Sequence, residues 1–173
     1  MAGDIKLTVR LAGQTDAQII SNIHVRSRSS AYRGQLPDNY LDSQMPAESL
    51  TFWPDRIAGL EAGDGISFIA ELSNKPVGFI CLECPDSDRS CFVDNLHTLP
   101  EHRGCGVGGL LLNVASKWAI SCSAIQMHLL VLATNEPAIR FYKSHGWNIA
   151  GFEYMTIGGE FIAALRLESS LYL

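Results

Sequence analysis

Residues Arg103-Gly104-Cys105-Gly106-Val107-Gly108-Gly109 follow an apolar run, Val93 to Leu99, and open into a helical pattern, a junction suited to holding phosphate. The first turn of a helix leaves backbone N–H groups without intrahelical partners, and the helix dipole adds partial positive charge there. Gly104, Gly106 and Gly108 present no side chain to hold an anion off that backbone, and they permit the positive φ angles from which anion-cradling nests are built. Arg103 adds a charge at the rim. One glycine suffices for a tight turn. Four within residues 104–109, each lowering helix propensity, indicate that something approaches the main chain.

Three nucleotide-site readings compete. Gly104-x-Gly106-x-x-Gly109 fits the dinucleotide pattern GxGxxG, but that site also needs an acidic residue about 20 positions on, and the segment Gln126 to Leu132 has none. Gly108-Gly109-Leu110 lacks the Gly-Lys-Ser/Thr ending of a P-loop. The third reading takes Arg103-x-x-Gly106-x-Gly108 after Leu99-Pro100, which resembles the acetyl-CoA loop Gln/Arg-x-x-Gly-x-Gly/Ala of the GNAT N-acetyltransferase superfamily. Downstream, the run from Asn135 to Trp147 (NEPAIRFYKSHGW) is similar to that family's Asn-x-x-Ala-x-x-Phe-Tyr-x-x-x-Gly-Phe/Trp helix. The resemblance covers residues 66–168 well and the first 60 more loosely.

The resemblance implies a single-domain acyl-CoA N-acyltransferase fold and direct transfer of acetyl from acetyl-CoA to an amine in a ternary complex, with no metal. It implies two central strands that splay apart, with main chain of Leu96-His97-Thr98 contacting the pantetheine arm. The cofactor set is then Leu96, His97, Thr98, Arg103, Gly104, Cys105, Gly106, Val107, Gly108, Gly109, Asn135 and Tyr142. A backbone N–H near Leu96 to Thr98 stabilises the developing oxyanion, and Tyr142 gives its hydroxyl proton to the coenzyme A sulfur.

The proton acceptor is less legible. Positions at which some relatives carry glutamate are Phe92 and Leu130. Asp94 is the first candidate, since strand alternation places it on the face of Leu96 and Thr98; His97, on the opposite face, is second, and His24 third. Each is equally readable as a satisfied polar residue. On the acceptor side, Tyr32, Arg33, Tyr40 and Trp53 could form an aromatic pocket, with ordinary packing the simpler reading for Trp53, and Asp38 and Asp94 could hold an ammonium. Small-molecule amines, peptide N-termini and lysine side chains all remain open as acceptors. A catalytically silent acyl-CoA-binding module is the alternative, motivated by the absent glutamates and opposed by Tyr142.

The elements that must position these groups follow from periodicity. Ile5 to Leu11 alternates as a strand. Thr15 and Gln18 fit a capping box for a helix running to Tyr32 and stopped by Gly34. Pro37 to Leu41 begins a second helix that Pro46 to Ile57 continues. Ile66 to Leu72 and Lys75 to Leu82 form a hairpin about Ser73-Asn74, followed by a strand from Cys91 to Leu99. Val107, Leu110, Leu111, Val114 and Trp118 give a helix from about Gly106 to Ile120. Met127 to Leu132 reads as a buried parallel strand, Asn135 caps a helix ended by Gly146, and Trp147 to Ile157 pairs with Glu160 to Leu167. The order β-α-α-β-β-β-α-β-α-β-β fits an α/β fold with a mixed central sheet flanked by helices. Residues 1–65 supply the first strand and the acceptor-side helices, and 66–168 the cofactor-binding core.

The chain has 173 residues, 47% hydrophobic and 18% charged, enough for one domain with a sizeable core. Its net charge of −5 leaves no basic footprint for nucleic acid and tilts slightly toward cationic acceptors. Neither a signal peptide nor a membrane-spanning run is read, so a cytoplasmic protein is expected; a homodimer stays open. Five cysteines at irregular positions argue for free thiols. A zinc site from Cys81, Cys84, Cys91 and His97 is conceivable, but Cys81 sits in an apolar strand and no second Cys-x-x-Cys exists.

Overall fold

The computed structural model describes residues 6–172. Its centre is a seven-stranded mixed sheet in the order β1-β2-β3-β4-β5-β7-β6. The strands are β1 (Leu7–Leu11), β2 (Gly65–Leu72), β3 (Lys75–Glu83), β4 (Ser90–Thr98), β5 (Gln126–Leu132), β6 (Asn148–Ile157) and β7 (Glu160–Ser170). The helices are α1 (Ala17–Tyr32), α2 (Met45–Gly59), α3 (Val107–Ser121) and α4 (Glu136–Ser144). The element order is the one expected from periodicity; Ile5, placed in the first strand, lies outside the described residues. Among the described residues no helix is long and apolar enough to cross a membrane.

The sheet is covered on both faces, which explains the unbroken apolar run in β3. Phe79 and Cys81 join Ile20, Ile23, Trp53 and Ile57 beneath α1 and α2. Ile80 and Leu82 join Leu111, Ala115, Met127 and Tyr142 on the α3–α4 side. Each fully buried large apolar side chain contributes about 1.5–3 kcal/mol, so both layers are needed to hold the sheet flat against its helices. A third cluster of Leu36, Tyr40, Leu41, Met45, Leu132 and Ile157 joins the start of α2 to the β6–β7 turn.

Local signals account for most boundaries. Ser73 and Asn74 both take positive φ, as the two-residue β2–β3 turn requires. Asn135 caps α4, its side-chain oxygen accepting from the Ala138 N–H at 3.3 Å. The entry to α1 departs from expectation. The Thr15–Gln18 capping box does not form; instead the Asp16 carboxylate accepts from the Gly13 N–H at 2.9 Å and closes a short 3-10 turn, Gln14–Asp16. Arg10 fixes that carboxylate with two hydrogen bonds of 2.8 Å and, with them, holds it below the usual carboxylate range. Tertiary pairing to β1 thus decides between two adjacent local caps. A π-helical turn, Tyr40–Gln44, leads without a break into α2.

The feature that makes a site is the divergence of β4 from β5. These parallel neighbours pair only at Ser90 with Gln126, Cys91 with Met127 and Phe92 with His128. On its other edge β4 carries a bulge, since Leu82 of β3 opposes Val93 while Cys81 opposes Asn95, leaving Asp94 as the extra residue. A bulge bends its strand and increases the local twist, which turns the C-terminal half of β4 away from β5.

Candidate active site

A cavity of about 1270 Å³ opens where β4 and β5 part, between the N-terminus of α3, helix α4 and the α1–α2 layer. Beyond Phe92 the β5-facing edge of β4 has no strand partner, so its main chain is available to a ligand.

The loop before α3 forms one end. Gly106 is the N-cap of α3 at φ +80°, and Gly104 has φ +77°. Either conformation is costly for a residue with a Cβ. Open space surrounds both, with no atom within 4 Å of where a Cβ would stand, and no side chain caps the helix. The first N–H groups of α3 therefore face a vacant, backbone-lined approach. Gly108 and Gly109 line the cavity and have a packing role besides. Both lie inside α3, where a Cβ on Gly108 would meet Phe141 Cζ at 2.8 Å and one on Gly109 would meet His145 Nε2 at 2.8 Å. They leave room for the Phe141 and His145 side chains against α3. Arg103 reaches back to α1, donating to the Ser27 carbonyl at 3.0 Å and to Ser30 Oγ at 3.2 Å. Cys105 is exposed and is absent from the cavity wall.

Along β4, Leu96, His97 and Thr98 line the cavity as expected. Asp94 lines it too, but from a different face. The bulge breaks alternation: Leu96 packs in the α3–α4 layer, whereas Asp94 Oδ2 accepts from Arg56 of α2 at 3.3 Å. Asp94 thus shares the α1–α2 side with His97, correcting the face assigned by strict period-two reading. His97 is held among Phe79 and His24, with Nδ1 3.2 Å from Ser27 Oγ and Nε2 3.3 Å from Asn95 Oδ1. Burial pushes its imidazolium well below the ordinary histidine value, with His24 and Arg28 acting the same way. His24 is pushed down to about 3 by burial and by the Arg28 charge. Both rings are therefore neutral near pH 7.

Tyr142 of α4 faces the cavity with its ring against Phe141 and Trp147. Burial, with Tyr32 nearby, pushes its phenol up, so it stays protonated at any working pH. Asn135, Tyr32 and Tyr40 also line the cavity. Two acceptor-side candidates, Arg33 and Asp38, lie outside the cavity wall, paired with each other at 2.8 Å, and Arg33 also meets Asp42 at 2.6 Å. Trp53 is fully buried, in keeping with the packing that was its simpler reading. Cys81 and Cys91 belong to opposite core layers, so the conceivable zinc set is not assembled. Among the lining residues that the sequence did not single out are the charged Arg28 and Glu48. Arg28 stands four residues after His24 and four before Tyr32, and that single-face spacing was the signal.

A family model described as the acetyltransferase (GNAT) family matches residues 27–147. The chain belongs to the GNAT acetyltransferase family. It is similar to streptothricin acetyltransferase of Streptomyces lavendulae, 24% identical over 172 residues, spanning 99% of this chain and 89% of that protein. An uncharacterized N-acetyltransferase of Methanocaldococcus jannaschii is 33% identical over 85 residues; the match spans 46% of this chain and only 38% of that protein's length. Among solved structures, PaiA N-acetyltransferase of Thermoplasma acidophilum in complex with coenzyme A superposes with a TM-score of 0.79 at 18% identity, covering 96% of this chain and 99% of that one. A GCN5-related N-acetyltransferase of Rhodopseudomonas palustris gives 0.79 at 23% identity, covering 96% and 97%. The α/β fold with its mixed seven-stranded sheet is thus the GNAT acyl-CoA N-acyltransferase fold.

Proposed function

We propose that this protein transfers an acetyl group from acetyl-CoA directly to a small-molecule or peptide amine, both substrates meeting in the cavity between β4 and β5. The observation that carries the reading is that one cavity joins the uncapped, glycine-led start of α3, the unpaired edge of β4 and Tyr142.

The residues fit the cofactor on the geometry of the cradle: Gly104 and Gly106 leave the α3 amides open, and no side chain competes for them. Amides of Val107, Gly108 and Gly109 hold the diphosphate, with Arg103 at the rim, and the main chain of Leu96 to Thr98 holds the pantetheine arm. Acetyl-CoA supplies the thioester-activated acetyl group. Backbone N–H groups on the open β4 edge stabilise negative charge developing on the acetyl oxygen. Tyr142 keeps its proton on Oη, as its burial dictates, and delivers it to the departing sulfur. Asp94 Oδ1, the oxygen not taken by Arg56, receives the amine proton directly or through water. His97 is set aside as base because both its ring nitrogens are engaged within the fold. Alignment of the two substrates contributes the remainder. No enzyme thiol is required, and burial pushes Cys81 and Cys91 up to about 12.

The test is thiol release from acetyl-CoA over a panel of small amines, peptides and lysine-bearing proteins. Turnover with at least one class, with acetylated amine recovered in equal amount, supports the reading. Binding of acetyl-CoA without turnover on any amine supports the silent module instead, a reading favoured by Phe92 and Leu130 at positions where a carboxylate base would be useful.

A further inference from the structure

Arg28 is a cation without a counter-ion in the wall of the active cavity. Six arginines, Arg10, Arg26, Arg33, Arg56, Arg140 and Arg166, have carboxylates within 4 Å. Arg89 and Arg103 are spent on the carbonyls of Ser123 and Ser27. Among the described residues Arg28 has neither. Its guanidinium lies 5.3 Å over the Tyr32 ring, with Nη1 3.4 Å from His24 Nε2. Arg28 and Trp53 Nε1–H can only donate, at 3.4 Å from His24 Nε2 and 3.3 Å from Nδ1, and the neutral ring has one acceptor nitrogen for the two of them, with Ser49 Oγ also 3.3 Å from Nδ1. His24 therefore engages at most one guanidinium N–H, and the half-buried group lines the cavity with its other donors unpaired by any carboxylate or carbonyl among the described residues.

Glu48 lies near the same end, accepting from Tyr40 Oη at 3.4 Å, and no arginine or lysine among the described residues pairs with it. Arg28 and Glu48 act on the Tyr40 phenol with opposite sign, so both stand near it without pairing with each other. Met45, Phe52, Met155 and Ile157 make the adjoining wall apolar. The end of the cavity nearest α1 and α2 thus offers a fixed cation, a separate carboxylate and room for an apolar group.

We propose that the acceptor is an amine that carries its own carboxylate, a free amino acid with an apolar side chain, whose carboxylate is taken by the Arg28 guanidinium as a planar, two-pronged pair. This rests on the acetyl-transfer reading above and narrows it. It disfavours polycationic amines, which Arg28 repels, and peptide N-termini, which have no carboxylate beside the reacting nitrogen.

The experiment compares matched pairs, such as methionine with 3-(methylthio)propylamine and tyrosine with tyramine, using acetyl-CoA and reading kcat/KM. A charge-assisted pair predicts a preference of about 10- to 100-fold for the acid, once corrected for the fraction of free amine. Arg28→Met abolishes that preference while leaving the acetyl-CoA Kd unchanged, and Arg28→Lys restores part of it. Turnover without preference for the acid, or a preference that survives Arg28→Met, overturns the inference and leaves acetyl transfer standing. No turnover with any amine overturns both. A third arm offers succinyl-CoA with tyramine: if Arg28→Met changes the choice of acyl donor rather than of amine, the cation serves the acyl chain and the inference is wrong.

Discussion

Arg103 Nη2 donates to the Ser27 carbonyl at 3.0 Å, and Ser27 Oγ in turn lies 3.2 Å from His97 Nδ1. The loop that begins α3 is thereby tied to the middle of α1 and to the open strand β4. Arg103→Ala cuts this tie as well as a rim charge, and is expected to weaken acetyl-CoA binding about tenfold and to lower stability by roughly 1 kcal/mol. Calorimetry and urea unfolding check the two effects. A variant that binds like the parent removes Arg103 from the cofactor end.

The glycines of the loop separate into two kinds, and substitution tells them apart. Gly106→Ala places a Cβ at φ +80° in open space, costing about 1–2 kcal/mol of local strain and loosening the cradle. Gly108→Val drives a side chain into Phe141 and moves α4, so Tyr142 shifts with it. The first change raises the acetyl-CoA Kd with little loss of kcat, and the second lowers kcat and the unfolding midpoint together. Identical kinetic effects from the two would contradict this division.

Tyr142→Phe removes the proton held on Oη. The expected result is a kcat lower by about 10²- to 10⁴-fold with acetyl-CoA affinity unchanged. Because burial pushes this phenol up, the parent rate follows deprotonation of the amine as pH rises and does not fall near pH 10 on account of Tyr142. A descending limb in that region that vanishes in Tyr142→Phe would show that the phenol ionises where its burial says it does not.

His24 and His97 set the acid limit of stability. His24 is held down to about 3 and His97 well below its ordinary value, whereas both titrate near 6.5 in the unfolded chain. Below about pH 6.5 the unfolded chain binds more protons, so stability is full above that pH and falls as pH drops toward the folded values. Each ring contributes a slope of up to about 1.4 kcal/mol per pH unit, giving roughly 3 kcal/mol lost between about pH 6.5 and 5. Urea unfolding across this range measures it. A flat profile would mean that the rings accept protons while folded.

How much of this was legible depended on whether the signal was local. The α3 loop, the α4 cap at Asn135 and the turn at Ser73-Asn74 are set by residues within a few positions, and each stands where its sequence placed it. The face of Asp94 was not legible, because the bulge that rotates it comes from the register of β4 against β3 and carries no glycine or proline to announce it. The Asp16 cap was chosen by Arg10 on the neighbouring strand β1, and the packing of Gly108 by Phe141 of another helix. Net charge reads the chain as a whole and says little about one cavity end: −5 tilts toward cations, whereas Arg28 stands in the cavity wall with no carboxylate partner among the described residues.

Hydrogen–deuterium exchange with and without acetyl-CoA tests the central claim most directly, because it reads the main-chain amides assigned to the cofactor. The account predicts that slowing on addition of acetyl-CoA concentrates at residues 93–98 of β4 and 104–109 at the start of α3. Binding heat accompanied by protection elsewhere, with these two stretches exchanging as before, would contradict it.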